Sequence, residues 1–173
     1  MISPRIGTNP PSFPLLEVKG LEGAFLNTQF PAESDGVVSS WHYCYYPAMA
    51  NDSLLTYSAS VAVWRYEDIA QQYRLLNETT AVIELQPETN VLTDIYCTQQ
   101  TLDPASPIRV VRGDVVGVVL ATNPIPMLGR SSQHTLMRNS ESRLPPGNLS
   151  SNSLTSQQMA LHLYADIMME GKS

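Results

Sequence analysis

Charge is scarce in this 173-residue sequence: Asp, Glu, Lys and Arg make up 15% of it, against about 25% in an ordinary soluble domain. The 10 basic residues are outnumbered by 16 acidic ones, for a net charge of −6, so neither nucleic acid nor an anionic membrane would be attracted. Histidine is limited to His42, His134 and His162. There is no Gly-x-Ser-x-Gly elbow, no His-Glu-x-x-His pair and no phosphate-binding glycine loop, which leaves little from which to build a hydrolytic or nucleotide site. With two cysteines, a structural zinc centre would need His42 and His162 to converge on them, so no metal or cofactor is expected. No apolar run approaches the roughly 20 residues that span a bilayer; the longest, residues 115–121, is interrupted by Gly117. The start, Met1-Ile2-Ser3-Pro4-Arg5, is not a basic segment followed by an apolar one, so no signal peptide is visible. Either the protein stays inside the cell, or the chain is an excerpt of a longer product.

Serine (18) and threonine (12) occupy the surface that charge leaves open, a composition commoner on extracellular proteins than on cytosolic enzymes. Residues 1–20, with Pro4, Pro10, Pro11 and Pro14, read as an extended lead-in. From residue 37 the pattern is β. Residues 37–46 alternate with aromatics at period two, and residues 54–66 form the clearest strand. Residues 73–76 and 80–85 flank Asn77-Glu78, which reads as a hairpin tip. Residues 91–98, 108–111 and 115–120 follow. Residues 129–157 are rich in Ser, Asn and Gln and poor in large apolar side chains, so a mobile loop is expected there, cut first by trypsin near Arg130, Arg138 or Arg143. Residues 159–169 alternate again as a closing strand, with a helix as the alternative because Met, Ala and Leu favour one. The expected fold is all-β: one antiparallel, jelly-roll-like β-sandwich over residues 21–170 with a long polar loop before the last strand.

Cys44 and Cys97 each lie in a strand-like segment beside tyrosines, which suits one inter-strand disulfide; two buried free thiols are the alternative. Three N-glycosylation sequons begin at Asn51, Asn77 and Asn148, all in segments read as loops. Arg112-Gly113-Asp114 is the tripeptide integrins recognise on a projecting loop. Between two Val-Val pairs it reads more simply as a turn, with Gly113 and Asp114 as turn residues. His42 and Cys44 share a strand face about 7 Å apart, whereas a catalytic pair would need closer approach and a third, orienting group. Trp41 and Trp64 read as core. Tyr45 and Tyr46 cannot both point inward, so at least one is expected to be partly exposed as a candidate ligand or adhesion residue.

The succession Trp41-His42-Tyr43-Cys44-Tyr45-Tyr46, Val63-Trp64-Arg65, Tyr73-Arg74-Leu75, Tyr96-Cys97 and Gly113-Asp114-Val115-Val116-Gly117-Val118 resembles a type of extracellular β domain. Such domains recur in large cell-surface and secreted multidomain proteins of early-branching animals, sponges especially. The resemblance covers about residues 36–128. It implies an extracellular location and a Cys44–Cys97 bridge, and it carries over no catalytic residue.

These readings lead to an expected non-catalytic binding or spacer module of a cell-surface or secreted glycoprotein. Its partner would be a protein or glycan, with no nucleic acid, no cofactor and no membrane contact of its own, inside a larger multidomain protein. The alternatives are a small hydrolase-type enzyme with a site at one end of the sandwich, and a cytosolic β domain with reduced cysteines.

Overall fold

Residues 59–64, Ala-Ser-Val-Ala-Val-Trp, carry apolar side chains on both faces of one strand, and both faces are buried: Val61, Val63, Ala62 and Trp64 are all at 0% exposure. A strand of that kind needs apolar material above and below it. The computed structural model, which describes residues 3–9, 23–45, 57–85, 96–120, 127–142 and 145–169, shows where that material comes from.

The described residues form thirteen antiparallel strands in two packed sheets. The first sheet contains β1 (Arg5–Thr8), β3 (Gly36–Val38), β4 (Ser40–Tyr45), β7 (Tyr96–Thr101), β8 (Ile108–Val110) and β13 (Leu163–Met168), in the order β7-β4-β13-β3-β8 with β1 also on β13. The second contains β2 (Gly23–Leu26), β5 (Tyr57–Glu67), β6 (Gln72–Leu85), β9 (Val115–Leu120), β10 (Leu128–Asn139), β11 (Leu149–Ser150) and β12 (Thr155–Leu161), in the order β11-β6-β5-β9-β2-β10-β12. The only helical piece among the described residues is a 3₁₀ turn at Ser151–Ser153. The fold is an all-β sandwich.

Between the sheets lies the main core. Trp41, Tyr43 and Tyr45 of the first sheet meet Phe25, Val61, Val63, Val116 and Val118 of the second. Trp41 and Trp64 are both fully buried, as their sequence context implied, yet they belong to different clusters. Trp64 faces away from the first sheet, into a smaller cluster with Leu26, Leu75, Val119 and Leu149, covered by Tyr73, Met137 and Leu154. Each large apolar side chain withdrawn from water in this way contributes roughly 1.5–3 kcal/mol. The Trp64 indole N–H donates to Gly147 O at 3.0 Å, tying the covering segment to the sheet.

That second cluster overturns the mobile loop expected over residues 129–157, as far as they are described; Arg143 lies outside the described residues. The segment holds β10 and β12, which pair from Leu128↔Leu161 to Arg138↔Thr155. Its few apolar residues sit where they count: Leu136 enters the main core, while Met137, Leu149 and Leu154 cover Trp64. Composition counted them; it could not weigh their placement. A bulge between Arg130 and Thr135 absorbs the polar run, with Ser131 Oγ accepting the backbone N–H groups of Gln133 and His134.

Four smaller corrections follow from pairing. Asn77-Glu78 is not a hairpin tip; it lies in a bulge of one continuous strand, β6, where Val61 pairs Ala81 but Val63 pairs Leu76. Part of the lead-in, residues 5–8, is a strand on β13. The closing segment is two strands in different sheets, β12 and β13, meeting at His162, and the helical alternative is excluded there. The break at Ser39 between β3 and β4 shifts the alternation, so Val38 shares the main core with Trp41 instead of pointing away from it.

Candidate functional site

The two cysteines stand directly opposite each other on β4 and β7, with Cα atoms 4.1 Å apart, and they are bonded. The Cys44 N–H donates to His162 O on its other side, so Cys44 and Cys97 form a pair without mutual backbone hydrogen bonds, where side chains approach closest. Trp41, Tyr43 and Tyr45 occupy the inner face of β4, which puts the disulfide on the outer one. Cys44 is buried and Cys97 is exposed.

On that outer face the strand registers align a row of side chains. The Arg5 guanidinium carbon lies 4.6 Å from the Tyr164 ring centroid, and the His42 ring stacks on Tyr164 at 4.8 Å with planes 11° apart. Arg5 Nε also donates to Asp166 Oδ1 at 3.1 Å. Beyond His42, a shallow groove of about 380 Å³ is bordered by Asn9, Thr98, Gln99 and the disulfide. It offers neutral donors and acceptors with no pair of carboxylates. Arg112 and Gly113 border a second groove of about 470 Å³, with Arg5, Gln29, Phe30 and Glu33.

The Arg112-Gly113-Asp114 segment is a turn, but one that crosses between sheets: β8 pairs β3 in the first, and β9 pairs β5 and β2 in the second. Gly113 has φ +96°, a backbone angle that glycine adopts without steric cost. Its N–H donates to Ala32 O at 2.9 Å, and Ala32 N–H donates to Asp114 O at 2.7 Å. The Asp114 side chain is 1% exposed and turned inward, bonded to Arg65 through both oxygens and to the Val111 N–H. This hydrogen bonding raises the Arg65 pKa above its ordinary value. Arg112 is exposed, so the structure separates the arginine and aspartate that an integrin would have to read together.

Among the described residues the histidines do not gather with the cysteines into a set of metal ligands. His42 is on the outer face; His134 lies in the β10 bulge, its Nδ1 2.8 Å from Ser131 Oγ; His162 is buried, with its pKa lowered to about 4 by burial and by His134. Ser131 Oγ also accepts the backbone N–H groups of Gln133 and His134, so the three contacts together tie the bulge closed. Among the described residues no three His, Cys, Asp or Glu side chains cluster as metal ligands, and no helix is long and apolar enough to cross a membrane.

Of the sequon asparagines, Asn77 and Asn148 are exposed, and Asn51 lies outside the described residues, as does Tyr46. Tyr45 is buried at 1% exposure and packs edge-on against Tyr96, so it offers no ligand surface. The Arg65–Asp114 pair went unnoticed in the sequence. Its signal was there: Arg65 continues the inward phase of Val61 and Val63, and an arginine in that phase calls for a carboxylate.

No family model, curated protein or solved structure matches this chain.

Proposed function

We propose that this chain is an extracellular, non-catalytic binding or spacer module of a secreted or cell-surface glycoprotein. The observation that carries the proposal is the position of the Cys44–Cys97 bridge. Cys97 faces solvent on the outer side of the sandwich, where the thiol pool of the cytosol would have access to it, so the bridge belongs in an oxidising compartment. The low charge and the exposed asparagines of two sequons fit the same compartment. The polar groove beside His42 and Gln99 is the candidate contact for a glycan or for the backbone of a protein ligand.

The test is to express the chain behind a secretory signal and treat the harvested protein with an alkylating reagent before and after reduction. No alkylation before reduction, and two sites after it, is expected. Two thiols that alkylate in native secreted material would overturn the proposal. Turnover of a generic ester, peptide or glycoside substrate by the purified protein would favour the enzyme alternative.

A further inference from the structure

We infer that N-linked glycans at Asn77 and Asn148 cover the edge of the second sheet on which β6 has no described partner strand beyond Tyr73, and keep two copies of this chain from pairing along it. The inference rests on the extracellular reading above, because it needs the chain to meet the glycosylation machinery.

The edge belongs to β6. Along one side this 14-residue strand is paired with β5 throughout, apart from its bulge. On the other side β11 reaches only Gln72 and Tyr73. From Arg74 to Leu85 no described strand pairs with it on that side, although β8 of the first sheet comes close without pairing. An edge of that length, with Val82 57% exposed on it, is a template for a further strand, and a second copy of the chain is always present to supply one. Single side chains answer two of its outward backbone groups. Asn148 Oδ1 accepts the Leu75 N–H at 2.8 Å, and Gln100 Nε2 donates to Val82 O at 3.2 Å.

Asn148 therefore stands on this edge, although the sequence places it 73 residues from Leu75. Asn77 is two residues farther along the same strand, about 7 Å by strand rise, and is exposed. The fold thus brings two sequons, far apart in sequence, to neighbouring positions on one edge of β6. Glycosylation replaces a hydrogen on Nδ2 and leaves Oδ1 in place, so Asn148 can carry a sugar and still cap Leu75. The bulge contributes in the same direction. Residues 77–80 depart from the ladder, Thr79 Oγ1 accepts the Val63 N–H at 2.8 Å and donates to Leu76 O at 2.6 Å, and a partner strand would lose its register there. Thr79 is fully buried, so the Asn77 sequon has to be read before this part of the sheet closes.

The experiment uses the secreted full chain with three sequence changes. Asn77→Gln removes one site. Ser150→Ala removes the other while keeping the Asn148 cap; Thr79 is left alone because its hydroxyl holds the bulge. Peptide mass spectrometry reads site occupancy, and light scattering coupled to size exclusion reads mass. Both sites should be occupied in the wild type, and the wild type should be monomeric. The double variant should roughly double in protein mass, and adding Val82→Lys should return it to monomer. If the double variant does not fold, amidase removal of the glycans from folded wild type replaces it; that reaction turns the Asn148 side chain into a carboxylate, which still accepts from Leu75. Empty sites in secreted, disulfide-bonded protein would overturn the inference and leave the extracellular reading standing. So would a stripped protein that stays monomeric under the same conditions. Free thiols in the secreted protein would instead count against the extracellular reading itself.

Discussion

Both carboxylate oxygens of Asp114 are bonded to Arg65, Oδ1 to Nε and Oδ2 to Nη2, each at 2.9 Å. The pair pins the crossover between the two sheets to the end of β5. Removing the carboxylate strands a guanidinium and a backbone N–H. Because Arg65 is 35% exposed and can reach water, Asp114→Ala should cost about 2–3 kcal/mol, below the range for a wholly buried pair. Asp114→Glu should destabilise too, since an extra methylene displaces the buried carboxylate from the positions that bond Arg65 and the Val111 N–H. Urea unfolding measures both. Loss of cell adhesion in Asp114→Glu at an unchanged melting temperature would contradict the inward placement.

Two glycines should respond differently to alanine. A Cβ at Gly113 would have no atom within 4 Å, so only its φ of +96° is penalised, by about 1 kcal/mol. A Cβ at Gly117 would lie 2.5 Å from Phe25 O and 3.1 Å from the Trp64 ring, and the sheet must shift to admit it. Gly117→Ala should therefore cost more, at the upper part of the roughly 1–3 kcal/mol seen for overpacked sites. Equal melting temperatures for the two variants would show that β9 does not pass Phe25 as closely as described.

Trypsin should find Arg130 and Arg138 protected. Both lie on β10, and Arg138 sits 5.7 Å from the Phe25 ring. Cleavage there should occur only as fast as the strand opens. Trp64→Ala empties the second cluster, should cost about 3–5 kcal/mol, and should make these bonds sensitive. Rapid cutting of the wild type at Arg138 would return the segment to a loop.

Acid should weaken the fold through His162. Its pKa in the folded chain is lowered to about 4 from 6.5, so the unfolded chain takes up the proton first. Stability should be level above about pH 7, fall as the pH drops through 6.5, and level off for this group below 4. The total loss should be on the order of 3 kcal/mol. Subtracting the profile of a His162→Gln variant isolates this contribution from that of the carboxylates. Identical profiles for the two proteins would mean that His162 is not kept neutral by the fold.

Much of the architecture was legible in the residues. Period-two alternation placed the strands around Trp41, Val61, Val116 and Leu163, because a side chain's face is a local property of extended backbone. The Cys44–Cys97 bridge was open to inference as well: both residues sit in strand-like segments, and two cysteines allow one pairing. Gly113 announced a turn through its chemistry alone.

Other properties depend on which strands become neighbours. Residues 129–157 look too polar to fold, and β10 and β11 pack because Trp64, on a strand more than sixty residues earlier, presents an apolar face for Met137, Leu149 and Leu154 to cover. Asp114 looks like a surface residue until the crossover sets it against Arg65. Asn77 and Asn148 are unrelated sequons until β11 closes on the start of β6. Alternation determines which way a side chain points. Only the packing of one sheet on another, and of a covering segment on the sheet's far side, decides whether it meets water, a partner or the core.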